Sequence, residues 1–375
     1  MENTSGMKKI TIRTPEDIVE TAVDMLGYRP EDSLVLLGIM DPNTEGPGLG
    51  VLRIDYSTAA ALGFADGSAG DVVDLVHGLG SVKTVLPVVF CDDLYDILGL
   101  GGPIEAQSWK VHRDGIYAVC DLLVDSGYDV GRPVWSAGEL CGDFAAPRDV
   151  RQCNTENSRP AGIAEAAALP TPELEIVRAK EFFGTPTVPF PKLADALAKV
   201  ESLHAEGVAP EECARAFSPQ ALNAAEAMLT NPRRRDLVML LMVFQNPGLR
   251  PAELPAECDE HTEGWLLEEF VHPEYMSECV GYSAALPDMR RLQLGCEVMK
   301  MIAAYASSEA LPDALAVLAW LEWVRGRLSF SDYYAAAALH LDSEHSLARL
   351  QAAAAKQAVL PGWLRHERFD EVDWV

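Results

Sequence analysis

What this chain lacks narrows its function more than any motif it carries. It lacks a long apolar run: the longest, "LVMLLMVF" at Leu237–Phe244, is far too short to span a bilayer. No apolar segment follows its first residues, "MENTSGMKKITIRT", so no signal peptide is expected. Together these features predict a soluble, cytoplasmic protein that makes no membrane contact. Positive charge is also scarce. Lys and Arg number 30 against 57 Asp and Glu, a formal net charge of −27. Such a field repels nucleic acid and anionic lipid, so no direct nucleic-acid partner is expected. The one basic run, Arg233–Arg235, reads as a solvated helix start, with Arg235 and Asp236 as a candidate buried pair. A nucleic-acid patch needs several such clusters with aromatic company.

Paired cysteines are missing too. Cys91, Cys120, Cys141, Cys153, Cys213, Cys258, Cys279 and Cys296 are scattered, and no CxxC occurs. In a cytosolic chain this predicts buried or free thiols, not a disulfide framework. There is no GxSxG, no HExxH and no recognisable catalytic Cys/His spacing. Two glycine-containing stretches, "GLGSVKT" (Gly78–Thr84) and "GLGG" (Gly99–Gly102), lack the strand-then-helix order that a phosphate loop needs. No cofactor is expected. One metal set is conceivable in "CDEHTEGWLLEEFVHPEYMSEC": Cys258, His261, His272 and Cys279. Structural zinc favours two tight ligand pairs, and His272 and Cys279 are spaced too widely. Glu268, Glu269 and Glu274 suit a solvated acidic loop better, so no bound metal is expected.

What is present begins with a well-marked helix. In "TPEDIVETAVDMLG" Thr14 is a good N-cap, Pro15 suits the first helical position, and Glu16 and Asp17 favour the positive helix end. Ile18, Val19, Ala22, Val23 and Leu26 make one apolar stripe, and Gly27 and Pro30 stop the helix. "GYRPEDS" then joins that helix to "LVLLGIM", an apolar run of strand length expected to be buried on both faces. Further strands are expected at "KKITIR", "LGVLRIDY", "VKTVLPVVF" and "PVWSAGEL", and further helices over about 57–79 and 104–127. Alternation of strands and helices predicts a three-layer α/β domain with a mixed sheet over 1–165. Residues 166–192 are dotted with proline and read as a connection. From 193 to 375 the periodicity is helical throughout, predicting an all-α domain that folds without the N-terminal half. Its last helices, "LPDALAVLAWLEWVRG", "SFSDYYAAAALHLD" and "SEHSLARLQAAAAKQ", are similar to tetratricopeptide-type helical pairs.

The segments "TPEDIVETAVDMLGYRPEDSLVLLG", "LRIDY", "RRDLVMLL", "LAWLEWVRGRLSFSDYYAAAALHLDSEHSLARL" and "LPGWLR" give the chain a resemblance to a known family. It resembles an actinobacterial family filed as a domain of unknown function (number four-one-nine-two). The likeness spans nearly the whole length. It implies a bacterial cytoplasmic protein and brings no activity with it. One departure is the segment "CGDFAAPRDVRQC", where only Cys141 and Cys153 stand in place of a denser Cys/Pro stretch.

The best polar cluster is Asp32, Ser33, Arg53 and Asp55. Arg53 and Asp55 alternate along one strand and so share a face, and a neighbouring strand would bring Asp32 and Ser33 to its end. The cluster reads as a small anion or hydroxyl site, or as a turn cap with a cross-strand ion pair; the second is preferred because it needs no ligand. Trp320 and Trp323, three apart on one helix, read as packing before they read as an aromatic platform. The leading function is a non-catalytic interaction or regulatory protein with an unidentified protein partner. An enzyme with its site between domains is the alternative, and an acidic DNA mimic is a third.

Overall fold

A computed structural model of the chain describes residues 12–41, 49–67, 69–98, 106–153, 160, 162–186, 189–243, 287–357 and 359–364. The chain divides into two compact units, Met1–Ala166 and Ala167–Val375.

The first unit opens on α1, Pro15–Leu26. The Thr14 hydroxyl accepts from the Asp17 amide at 3.3 Å and the Asp17 carboxylate accepts from the Thr14 amide at 2.9 Å, a reciprocal cap. The chain reverses into β1, Ser33–Met40, which pairs antiparallel with β2, Leu49–Asp55. The stretch expected to be mostly helical is two helices, α2 at Thr58–Ala65 and α3 at Gly70–His77. β3, Val82–Phe90, runs antiparallel to β1 on its other side. After α4 (Asp93–Ile97) and α5 (Ala106–Asp125), β4 (Asp129–Val130) and β5 (Val134–Ala137) both pair parallel with β3. β6 (Leu140–Asp143) and β7 (Arg151–Gln152) add antiparallel strands. The sheet order is β2-β1-β3-β5-β6-β7, with β4 also on β3, so the sheet is mixed. A short helix, α6 at Ile163–Ala166, ends the unit.

One strand expectation needs correction. "PVWSAGEL" is not one strand but a hairpin, because Gly138 sits at φ 55° and begins a two-residue reversal between β5 and β6. The expected strand "KKITIR" lies largely outside the described residues.

Both faces of the sheet are covered. Leu34 and Leu36 of β1 join Val85, Val89 and Trp135 beneath α2, α3 and α5, whose Phe64, Val72, Ile116 and Val119 face them. Val35 and Leu37 point the other way and join Val88, Phe90 and Val134 beneath Val19, Ala22 and Val23 of α1. Alternation along one apolar strand thus feeds two cores, and each fully buried Leu or Val is worth about 1.5–3 kcal/mol. α5 crosses α2 at Gly115, where a Cβ would come 2.4 Å from the Ala61 carbonyl oxygen.

The second unit is helical in its described residues. Its helices are α7 (Leu174–Phe183), α8 (Phe190–Ala205), α9 (Pro210–Ala214), α10 (Pro219–Leu229), α11 (Pro232–Val243), α12 (Met289–Tyr305), α13 (Leu311–Val324), α14 (Leu328–Leu341) and α15 (Ser346–Lys356). α7 falls inside the proline-dotted stretch read as a connection. Its own residues are free of proline, and it is bonded into the unit. Lys180 pairs with Glu226 of α10 and donates to the Tyr305 carbonyl at 2.5 Å. Asn223 donates to the carbonyls of Lys180 and Gly184, each at 2.8 Å. α13 is buried from Ala314 to Val324. Among the described residues no helix is long and apolar enough to cross a membrane.

Candidate functional site

Strand pairing lines up one end of the sheet. Asp55 lies opposite Ser33, Ser33 opposite Phe90, and Phe90 opposite Ser136. β2, β3 and β5 run in the same direction, so this row marks their carboxyl ends, where open α/β sheets bind ligands. Two arginines lie along it. Arg53 donates through Nε to Ser33 Oγ at 2.8 Å and pairs through Nη2 with Asp55 Oδ1 at 2.8 Å. Arg29 donates to Ser136 Oγ at 3.2 Å, sits 5.5 Å over the Phe90 ring and pairs with Asp92 at 3.5 Å.

The turn before β1 is held at both ends. Ser33 is fully buried, and its hydroxyl donates to the Glu31 carbonyl at 2.5 Å while accepting from Arg53. Asp32 has φ 37°, and among the described residues it is the one non-glycine with positive φ. That conformation costs an L-residue about 1–2 kcal/mol, and Asp tolerates it better than most. It is held by the Tyr56 amide, which donates to the Asp32 carbonyl at 2.7 Å.

All four sequence candidates therefore meet. Asp32, Arg53 and Asp55 line a cleft of about 520 Å³ with Tyr28, Glu31, Tyr56, Ser57, Ala60, Gly162 and Ile163. Ser33 reaches the cleft through its bond to Arg53. The ion pair differs from the cross-strand pair expected. It runs along β2 from Arg53 to Asp55, because the residue directly opposite Arg53 is the apolar Val35. Three carboxylates against one guanidinium leave the cleft negative, which favours a cation or a hydroxyl over an anion.

Through Tyr56 the cleft borders groups that no sequence pattern marked. Tyr56 is buried, and its hydroxyl lies 3.2 Å from His112 Nδ1 on α5. Burial lowers the His112 pKa, and Asp93 pulls weakly the other way. Burial also raises the Tyr56 hydroxyl, and Cys91 adds to that. Cys91, just past β3, is pushed up to about 11 by burial first and then by the charges of Asp32 and Asp93. His112 stands alone in "SWKVHRDG", so only the packing of α5 against the sheet reveals the pair.

The remaining candidates divide. Trp320 and Trp323 are both buried, and Trp323 Nε1 donates to the Val359 carbonyl at 2.7 Å. Arg233 and Arg234 donate their amides to Asn231 Oδ1 at the start of α11. Arg235 is buried and pairs with Asp236 at 3.5 Å and with Asp313 at 3.1 Å. Cys258, His261, His272 and Cys279 lie outside the described residues. Among the described residues no group of three or more His, Cys, Asp or Glu is placed to hold a metal ion. No family model, curated protein or solved structure matches the chain.

Proposed function

We propose that the chain is a non-catalytic interaction or regulatory protein of the cytoplasm. Its helical unit would bind a protein partner, and its α/β unit would hold a small cationic or hydroxyl-bearing ligand. The family resemblance belongs to this reading and adds no activity to it. The observation that carries the reading is α7, which exposes Phe182 at 84% and Leu174 at 61%, with Phe183 half-exposed beside them. An aromatic that open is costly on a protein that has nothing to cover it. The succession α13, α14, α15, packed through the turns 325–327 and 342–345, supports the same view, and we take these helices as tetratricopeptide-like pairs.

Binding is favoured over catalysis at the cleft because the polar groups there are already engaged. Ser33 is held between the Glu31 carbonyl and Arg53, and Arg53 is held between Ser33 and Asp55. A nucleophilic hydroxyl would need a base as its neighbour, not a guanidinium. An enzyme is the second reading. It is favoured by the cleft's place at the carboxyl ends of β2, β3 and β5.

The test is capture from a native host lysate with the wild-type chain and with Phe182→Ser, read by mass spectrometry. A partner retained by the wild type and lost by Phe182→Ser, with the melting temperature unchanged, supports the reading. A partner held equally by both chains refutes the role of α7.

A further inference from the structure

Cys141 lies in β6, opposite Arg151 of β7, and Leu140 lies opposite Gln152. The Cys153 amide donates to the Glu139 carbonyl at 2.8 Å, so Cys153 continues the same ladder. Residues two apart on a strand share a face, which puts Cys141 and Cys153 on one side of the sheet as diagonal neighbours. Both belong to the apolar layer beneath α1, with Val19, Val88 and Val134, and both are buried. The neighbouring Cys153 thiol first, and burial second, push the Cys141 thiol above its ordinary value. Arg151 closes the outside of the layer by pairing with Glu16 of α1 at 3.4 Å.

A single buried cysteine needs no explanation beyond packing, since the thiol is a small apolar group. Two buried thiols set diagonally on one face of paired strands are a different object. Among the described residues β7 has two residues and pairs with β6 alone. A short edge strand held this way opens at low cost. Opening frees Cys153 at the margin, while Cys141 stays in the longer β5–β6 hairpin.

We propose that Cys141 and Cys153 form a thiol–disulfide site, whose reversible intrachain disulfide fastens the edge strand β7 to β6. The oxidant class is a low-molecular-weight disulfide. The Cys153 thiol loses its proton, and its sulfur attacks one sulfur of that disulfide. The external S–S bond breaks, and one external thiolate leaves. Cys141, deprotonated in turn, attacks the Cys153 sulfur of the mixed disulfide and expels the second external thiolate. Two cysteine thiols are oxidised, one external disulfide is reduced to two thiols, and the two protons pass to the leaving thiolates. The site closes slowly while both thiols are buried, and β7 opening sets its rate. Cys91 and Cys120 belong to the core on the opposite side of the sheet and take no part.

The test uses the full chain in native buffer with a graded ratio of reduced to oxidised glutathione. Samples are quenched in acid, alkylated, digested and mapped by mass spectrometry. The expected product is one peptide pair joining Cys141 to Cys153, formed in the oxidised buffers and removed by dithiothreitol. In Cys153→Ala the joined pair is lost completely, and in Cys91→Ala it forms as in the wild type. The proposal is overturned if glutathione adducts accumulate without the joined pair, if other cysteines join first, or if the pair forms only in unfolding concentrations of urea. The wild-type map decides these outcomes even if Cys153→Ala folds poorly.

Discussion

Glu322 and Asp55 are both acids paired with arginine, and they live in opposite surroundings. Glu322 has no exposed surface in the middle of α13, and it bonds Arg325 at 3.1 Å and Arg327 at 3.4 Å. The Arg327 guanidinium also lies 3.6 Å from the centre of the Phe330 ring, which closes the cluster from outside. Asp55 pairs with Arg53 at 2.8 Å, yet its side chain is 88% exposed at the mouth of a cleft. Around α13 the helical unit holds this charge inside, paired with its neighbours. Arg235, Asp313 and His345 follow the same rule: Asp313 accepts from both, and His345 Nδ1 accepts the Ala348 amide to cap α15. The α/β unit leaves carboxylates facing water at the ends of its strands. Charge in the first setting serves the fold, and charge in the second remains available to a ligand.

The largest effect is expected where that contrast is sharpest. Glu322→Ala leaves two arginines without their buried acid and should cost about 3–5 kcal/mol. Trp320→Ala, from the same helix, should cost a similar 3–5 kcal/mol through the cavity it leaves, and Trp320→Phe should cost less. Asp55→Ala should cost no more than about 1 kcal/mol. Urea midpoints for the four variants rank them. If Glu322→Ala and Asp55→Ala shift the midpoint equally, the division between inward and outward charge is wrong.

The next effect is a pH dependence in the helical unit. Burial alone would raise the Glu226 carboxyl. The bonds from Lys180 and Ser307 outweigh that and hold it below its ordinary value of 4.5. An acid depressed in the folded state contributes stability that is complete above its unfolded pKa, and it is lost as pH falls through the folded value. The wild-type midpoint should therefore fall as pH drops below about 4.5. Glu226→Gln should cost about 1–3 kcal/mol at neutral pH and flatten the curve in that acid window. Equal acid slopes for the two chains would remove Glu226 as the cause.

Much of the α/β unit could be read from local signals. The capping residues of α1 and the apolar run of β1 act within a few positions of themselves, and both behave as local chemistry requires. The α5 helix over about 104–127 was legible for the same reason. Other features depend on distant partners. α7 was hidden because Pro170, Pro172, Pro186 and Pro189 crowd its flanks, and its bonds to the distant Glu226, Asn223 and Tyr305 show that it belongs to the helical unit. The alternation of Arg53 and Asp55 marked one wall of the cleft. Tyr56 with His112, and Arg29 with Ser136, join residues far apart in sequence, so no window along the chain contains them. Glu322 looks like a solvent-facing residue in an alanine-rich helix until α12 and α14 are packed around it.

The smallest stability effects are expected at the cleft, and there binding is the more telling axis. Asp32 offers a way to separate shape from charge. Its φ of 37° is one that Asp tolerates through its short polar side chain, and Ala keeps the Cβ while losing that side chain. Asp32→Ala should cost about 1 kcal/mol. Asp32→Gly accepts the conformation and should cost less, while Asp32→Asn keeps both the shape and the tolerance for positive φ. If Ala and Gly cost the same, the backbone is not the source of the loss. Asp32→Asn and Asp55→Asn each remove one negative charge from the cleft wall and should leave the urea midpoint within about 0.5 kcal/mol of the wild type. Binding of a simple diamine, followed by isothermal titration at low salt, should weaken in both Asn variants and stay unchanged in Asp129→Asn, outside the cleft. That control matters because a chain of net charge −27 attracts any cation weakly. Equal weakening in all three variants would mean diffuse attraction, and the cleft would lose its claim to be the binding site. Selective weakening at Asp32 and Asp55 would place the cation between the β1 turn and the end of β2, where the exposed carboxylates converge.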